Sequence, residues 1–190
     1  MAGLRWLLIA ALVAAPAGCS RAPDKRAESL ARSLGGRVQY DNGRLFRLEL
    51  QRSRMLDSDL ARFVEWVPDI EEIDCSQTRI TDDGVAMLAS FPKLRKIALS
   101  GTKISPAAVV HLGRCQALRD LYLLQTPLDD EAVDELAGLT ALRKIGLSGT
   151  ALSEEGVERL RQALPQTMVG ADGLATKPRP AGAKRGTGGS

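Results

Sequence analysis

Apolar residues recur along this chain at a spacing of 24 residues, and the recurrence predicts a repeating structural unit. Four windows of equal length follow one another without gaps, beginning at Ile70, Leu94, Leu118 and Leu142. A more divergent copy begins at Leu45 and is one residue longer. Because about three stacked units suffice to bury their apolar faces, these copies predict an independent repeat domain.

Each window divides into a half with strand spacing and a half with helix spacing. The first half reads L-x-x-L-x-L, whose alternation predicts a short strand with every second side chain inward. These inward residues are Ile73 and Cys75, Ile97 and Leu99, Leu121 and Leu123, and Ile145 and Leu147. The second half carries apolar pairs three residues apart, which share one helical face. The pairs are Val85 and Leu88, Val109 and Leu112, Val133 and Leu136, and Val157 and Leu160.

The turn between the two halves repeats as well. An apolar residue is predicted to plug each turn, and a threonine stands two positions before it. The plugs are Ile80, Ile104, Leu128 and Leu152, and the threonines are Thr78, Thr102, Thr126 and Thr150. A threonine hydroxyl can satisfy backbone groups at such a turn. Acidic residues then open most of the helices, as in Asp82-Asp83 and Asp129-Asp130, and we interpret them as helix caps rather than as metal ligands.

The repeated pattern LxxLxLSGTxITDxGVxxLxxxxxL resembles the cysteine-containing leucine-rich repeats of the ribonuclease-inhibitor-like type, which also occur in exported bacterial lipoproteins. The resemblance covers residues 45–169. It implies an α/β fold, a right-handed solenoid of about five strand–turn–helix repeats shaped as a short horseshoe. Proteins of this kind bind other proteins, so the resemblance implies a binding scaffold without naming its partner.

Residues 19–44 are predicted to link the first segment to the repeats and to cap them. Residues 23–34 place Ala27, Leu30, Ala31 and Leu34 on one face of a short helix, which Gly35-Gly36 ends. Val38 and Tyr40 alternate in a strand, and Asp41-Asn42-Gly43 predicts a hairpin turn into Leu45. At the other end, residues 167–169 are expected to form an edge strand. Residues 170–190 hold few large apolar residues, and we expect a disordered basic tail there.

Residues 1–18 have the pattern of an export signal. Arg5 precedes an apolar stretch over residues 6–15, which is too short to span a bilayer as a helix. Two processing outcomes stay open. Pro16-Ala17-Gly18-Cys19 resembles a lipobox, which predicts a lipid anchor at Cys19 and a place in the cell envelope. Cleavage after Ala17, in the A-x-A pattern of residues 15–17, would instead release a secreted protein.

Composition narrows the functional classes. Aromatic residues make up 4% of the chain, which disfavours a carbohydrate site built from stacked rings. The formal net charge is +3 and the tail holds most of it, so no nucleic-acid partner is expected. The single histidine, His111, lies in a helix position expected to be exposed, without a catalytic partner. Cys75 and Cys115 are expected to be buried and unpaired. We expect no enzymatic activity, no cofactor, no metal and a monomer.

The outward strand residues are expected to line the concave face, where solenoids commonly bind partners. On this face, Glu71, Glu72 and Asp74 predict an acidic patch. A basic patch is predicted beyond it, formed by Arg95, Lys96, Arg119, Arg143 and Lys144. Tyrosine and arginine are frequent anchors of protein interfaces. The predicted partner-binding centre therefore consists of Arg95, Arg119, Tyr122, Leu124 and Arg143. A structural protein that associates with itself remains the alternative.

Overall fold

The computed structural model describes residues 21–171, which form an α/β fold. Within that range the chain forms six α-helices and one seven-stranded sheet whose spatial order follows the sequence, β1 to β7. The strands are β1 Arg37–Asp41, β2 Arg44–Glu49, β3 Glu72–Asp74, β4 Lys96–Ala98, β5 Asp120–Tyr122, β6 Lys144–Gly146 and β7 Met168–Gly170. The helices are α1 Arg21–Leu34, α2 Asp57–Trp66, α3 Asp82–Leu88, α4 Val109–Leu112, α5 Val133–Ala137 and α6 Glu154–Ala163.

The strand register reproduces the spacing of the sequence. From β2 onward neighbouring strands are parallel, and Ile73, Ile97, Leu121, Ile145 and Val169 face one another across five adjacent strands. The predicted inward strand residues are all buried, as are the predicted helix pairs and turn plugs. Each layer therefore places like residues on like and continues a single apolar core. The predicted strand–turn–helix unit of a leucine-rich-repeat-like fold is confirmed.

The four threonines of the turns are buried, and each was predicted to satisfy a backbone group there. The hydroxyl of Thr78 donates to the carbonyl of Cys75 at 2.6 Å, and Thr126 donates to Leu123 at 2.7 Å. Thr102 and Thr150 do the same. The hydroxyl thus satisfies a carbonyl three residues earlier, at the point where the chain leaves the sheet.

The acidic residues at the helix starts do more than cap their own helix. Asp129 accepts a hydrogen bond from the Glu131 amide, which confirms it as an N-cap, and Ser153 accepts one from the Gly156 amide. The side chain of Thr81 accepts no cap hydrogen bond, and its hydroxyl donates to Asp57 of the preceding repeat at 2.6 Å. Carboxylates of one repeat therefore tie down the helix start of the next. These contacts with the neighbouring repeat were not predicted from the sequence.

The same junction explains a glycine in two of the repeats. A Cβ added at Gly84 would collide with Asp57 and Ile80. A Cβ at Gly156 would lie 2.5 Å from Oδ1 of Asp130. The equivalent positions in the middle repeats are Ala108 and Ala132, and there the segment begins as a 3₁₀ turn before a single α-helical turn. The middle helices are consequently shorter than the sequence pattern alone indicates.

The cap predicted for the N-terminal end is present. Helix α1 buries Ala27 and Ala31, while Leu30 and Leu34 pack against the core at its edge. Strands β1 and β2 form the antiparallel hairpin. Its turn residues Asn42 and Gly43 have φ of 48° and 77°, the left-handed conformation that a two-residue hairpin turn of this kind requires.

The C-terminal boundary lies slightly beyond the predicted one. Strand β7 includes Gly170, whose carbonyl accepts a hydrogen bond from the Leu147 amide at 2.6 Å, and Ala171 is buried. Gly170 was assigned to the tail by sequence because a glycine carries no side chain to reveal strand alternation. The predicted export signal, residues 1–18, and the lipidation site Cys19 lie outside the described residues, as do tail residues 172–190.

Candidate binding surface

The outward residues of strands β2 to β6, with the residue that precedes each strand, form one continuous surface, named here the open sheet face. Adjacent parallel strands lie about 4.8 Å apart, so outward side chains in register are direct neighbours. The register pairs Arg47 with Glu72, Glu72 with Lys96, Lys96 with Asp120, and Asp120 with Lys144. Opposite charges therefore alternate along this row of the face.

Glu71 links the cap hairpin to the repeats through two arginines. Its carboxylate accepts a hydrogen bond from Arg44 and forms an ion pair with Arg95 at 2.5 Å. The hydrogen bond from Arg44 is the largest influence holding the pKa of Glu71 below its usual value, and Arg95 acts in the same direction. Arg95, one of the predicted partner-binding residues, is thus engaged within the protein.

Glu72 is similarly shared between two cations. It lies 3.6 Å from Nε of Arg47 and 3.8 Å from Nζ of Lys96. Arg47 also lies 3.5 Å from Glu49 on its own strand. The predicted acidic and basic patches therefore adjoin at β3 and β4. The parallel register brings the two patches side by side, and their charges largely neutralise each other across β2 to β4.

Tyr122 occupies the centre of the open sheet face and is half-buried there. Nζ of Lys96 lies 5.6 Å from the ring centroid and Nζ of Lys144 lies 5.4 Å from it, one from each neighbouring strand. A cation this close to an aromatic face contributes roughly 0.5–1 kcal/mol at exposed sites. The two lysines therefore favour this position of the ring. Sequence analysis placed both lysines in the basic patch and missed their contact with Tyr122.

Small residues flank Tyr122 in the same outward column, with Ala98 on β4 and Gly146 on β6. A depression of about 220 Å³ lies on the Ala98 side, between Asp74 and Tyr122. On the other side, a Cβ at Gly146 would lie 2.9 Å from Cδ1 of Leu124 and 3.4 Å from Cδ1 of Tyr122. The glycine thus leaves room for Leu124 and Tyr122 to lean towards β6.

The remaining predicted residues differ in their surroundings. Arg119 donates to the carbonyl of Leu118 at 2.8 Å, so its guanidinium is directed at the loop that precedes β5. Arg143 is exposed, and no hydrogen bond or ion pair of its side chain occurs within residues 21–171. Leu124 is half-buried. The structure therefore brings Tyr122 and Leu124 together over Gly146, leaves the exposed Arg143 without an ion pair within residues 21–171, and engages Arg95 and Arg119 in internal contacts.

Reactive side chains elsewhere in the described residues form no catalytic arrangement. His111 is half-buried rather than exposed, and its Nδ1 is buried without a hydrogen-bond partner. Cys75 and Cys115 are buried free thiols. Burial raises the pKa of the Cys75 thiol and raises that of Cys115 to about 11. Over residues 21–171 no group of three or more histidine, cysteine, aspartate or glutamate side chains is arranged to hold a metal ion.

In the part of the chain that the structure describes, no helix combines the length and the apolar character needed to cross a bilayer.

The repeated parallel register and the buried apolar columns define the class of this fold as leucine-rich-repeat-like. No protein-family model matches the chain, and no curated protein matches it. Among solved structures, the chain is similar to the crystal structure of an internalin, InlF, from Listeria monocytogenes. The two are 18% identical with a TM-score of 0.45, and the alignment covers 70% of this chain and 41% of the internalin chain. The chain thus spans about two fifths of the length of that structure.

Proposed function

We propose that this protein is a noncatalytic protein-binding scaffold that uses the open sheet face, the concave side of a short right-handed solenoid of about five ribonuclease-inhibitor-like repeats. The observation that carries the proposal is the position of Tyr122, half-buried between Lys96 and Lys144. A rigid aromatic ring with cationic neighbours is typical of interface anchors, because little conformational entropy is lost when a partner packs against it.

We further propose that the protein is exported and acts in the bacterial cell envelope. The support is the pattern of residues 1–18 together with Cys19, which would carry the lipid anchor. Replacing Cys19 with alanine would abolish incorporation of labelled palmitate and release the protein from the membrane fraction. No palmitate incorporation in the wild type would favour cleavage after Ala17 and secretion, and incorporation that persists in the variant would place the lipid on a residue other than Cys19.

The binding proposal is tested by crosslinking in the native envelope. Wild type is compared with a Tyr122→Ala/Leu124→Ala variant, and a Val110→Ala/Arg114→Ala variant serves as the control on the helix side, where Val110 is exposed. Crosslinked partners should be lost from the first variant and retained by the second, with circular dichroism showing that both are folded. Equal capture by all three proteins would place binding elsewhere and end the proposal for this face.

A second candidate function is self-association as a structural protein. It is favoured by β7, which forms one edge of the described sheet and exposes 68% of Met168. An unpaired strand edge can pair with another chain. Sedimentation that depends on protein concentration and is lost in Met168→Glu would support this candidate over the binding scaffold.

A further inference from the structure

The two ends of the open sheet face differ in how their charges are compensated. Towards the cap, Glu71 and Glu72 are each shared between two cations, as described above. Towards the C-terminal end, Arg143 and Lys144 are both exposed, and no carboxylate within residues 21–171 lies within ion-pair distance of either. The ammonium group of Lys144 lies 5.4 Å from the centroid of the Tyr122 ring. Uncompensated positive charge is therefore concentrated on β6.

One carboxylate lies close to these cations without neutralising them. Asp120 stands in register between Lys96 and Lys144, yet it forms no ion pair with either lysine. Counting Arg119, Arg143 and Lys144 against Asp120, this end of the face carries a surplus of positive charge. The surplus is small and local, unlike the extended basic stripe of a nucleic-acid-binding surface.

Apolar surface lies directly beside these cations. Tyr122 and Leu124 lean over Gly146, and Met168 on β7 occupies the position in register with Lys144. Gly146 and Gly170 are in register on adjacent strands, so no side chain rises from the floor between Tyr122 and the end of the sheet. We name Tyr122, Leu124, Arg143, Lys144, Gly146 and Met168 the C-terminal surface. It combines a shallow apolar floor with two unpaired cations at its side.

Resting on the proposed scaffold function, we propose that the C-terminal surface binds an acidic segment of a partner protein that carries an aromatic or aliphatic anchor residue. The carboxylates of the segment pair with Arg143 and Lys144, which form no ion pair within residues 21–171. The anchor packs on the glycine floor against Tyr122 and Leu124. Charge complementarity selects the partner and accelerates association, while the apolar anchor supplies most of the affinity.

The experiment uses a displayed library of random peptides as the probe and the purified full-length protein as the target. Peptides selected on the wild type are compared with those selected on Arg143→Glu/Lys144→Glu, which reverses the local charge. Lys103→Glu/Arg114→Glu is the matched control, since it makes the same change in net charge at exposed residues outside the C-terminal surface. Tyr122→Ala/Leu124→Ala tests the floor, and circular dichroism checks that each variant is folded.

We expect the wild type and the matched control to enrich peptides in which aspartate and glutamate flank a large apolar residue. The charge-reversal variant should lose this enrichment, and it should bind a selected acidic peptide at least about tenfold more weakly. Enrichment without acidic residues, lost in Tyr122→Ala/Leu124→Ala, would overturn the acidic partner while leaving the scaffold function intact. Enriched peptides that bind all variants equally would overturn both.

The same variants distinguish a membrane surface from a protein partner. If the wild type binds phosphatidylglycerol vesicles, the charge-reversal variant does not, and no acidic peptides are enriched, the surface recognises anionic lipid and the proposal is overturned. Failure of the wild type to bind such vesicles, together with acidic enrichment, supports the proposal. Asp120 favours this second result, because a carboxylate amid the cations opposes contact with a dense layer of anions.

Discussion

The carboxylate of Asp82 accepts two hydrogen bonds from Ser105 in the next repeat, one from the amide at 2.8 Å and one from the hydroxyl at 2.5 Å. Asp130 binds Ser153 in the same way, at 2.8 Å for both bonds. Asp57 and Thr81 form a third such pair. The pair is missing between the third and fourth repeats. Pro106 occupies the position of the aspartate there, and Asp129 occupies the position of the serine or threonine in the next repeat. Neighbouring repeats are thus joined by polar contacts as well as by the core.

Replacing Asp82 with alanine should lower the free energy of unfolding by about 2 kcal/mol, because two charge-assisted bonds to Ser105 are lost. Asp83→Ala is the matched control, since Asp83 lies in the same first turn and is exposed. It should cost less than about 1 kcal/mol, the contribution of a carboxylate to the helix dipole. Urea unfolding followed by circular dichroism measures both. Equal losses in the two variants would show that the contact between repeats contributes nothing.

The buried threonines make a second prediction. Thr126→Val preserves the side-chain shape but removes the hydrogen bond to Leu123, leaving a buried carbonyl without a donor. We expect a loss of about 1–3 kcal/mol in the free energy of unfolding. Thr140→Val, at an exposed position in a return loop, should change stability by less than about 0.5 kcal/mol. Equal free energies of unfolding for the two variants would show that this hydrogen bond is not the reason for threonine in these turns.

A methyl group at Gly84 should be destabilising for steric reasons. Gly84→Ala would press against Asp57 and Ile80, and overpacking of this kind costs about 1–3 kcal/mol. Gly113→Ala is the control, because Gly113 has an ordinary right-handed helical conformation and an added Cβ there comes no closer than 3.3 Å to another atom. Thermal unfolding should show a clear decrease in Tm for the first variant only. An unchanged Tm for Gly84→Ala would mean that the repeat with Asp57 and the repeat with Gly84 can move apart at little cost in free energy.

The ion pairs of Glu71 predict a specific pH dependence. Because Arg44 and Arg95 lower the pKa of this carboxyl in the folded protein, its stabilising effect is full above the ordinary value of 4.5 and is lost as the pH falls through the lower folded pKa. Glu71→Gln should therefore be less stable than wild type at neutral pH, and the difference should shrink in acid. Glu65→Gln, at an exposed residue of α2, should show no such trend in urea unfolding across this pH range. A constant difference for Glu71→Gln would contradict the ion-pair account.

The thiols should be protected in the folded protein. Burial raises the pKa of both Cys75 and Cys115, so little thiolate forms at about pH 8 and little of either sulfur is accessible. Alkylation by iodoacetamide, read peptide by peptide with mass spectrometry, should be at least about tenfold slower in the native protein than in urea at both residues. Rapid labelling of native Cys115 alone would show that the return loop before β5 opens locally.

Much of the fold was predictable from the sequence because the same spacing of apolar residues recurs in each repeat. One copy of L-x-x-L-x-L is weak evidence for a strand. Repeated copies, with Ile73, Ile97, Leu121 and Ile145 at the same position, are consistent with only one register of neighbouring strands. The hairpin turn at Asn42-Gly43 was equally legible, since it depends on local backbone conformation. Residues 77, 101, 125 and 149 carried a further signal that was missed. Gln77, Gly101, Gln125 and Gly149 all have positive φ, and each glutamine side chain lies across the next glycine.

The candidate binding site was predictable only in outline. Tyr122, Leu124 and Arg143 were predicted to face outward because outward positions follow directly from strand alternation. The contacts of the charged residues were not predicted. The pairing of each cation with a carboxylate depends on how far the two side chains reach across neighbouring strands. Arg95 meets Glu71, and Arg119 turns to the carbonyl of Leu118. His111 was expected to be exposed from its variable column and is half-buried.

By itself the sequence determined the spacing of the layers, the inward and outward side of every strand, and the identity of the turn residues, because each depends on neighbours within a few positions or on exact repetition. The tertiary structure alone decided which charges on the open sheet face are neutralised and which remain available. That outcome depends on how far side chains 24 residues apart reach across neighbouring strands. Lys96 and Lys144 have the same place in the repeat, yet within residues 21–171 Lys96 forms an ion pair and Lys144 forms none.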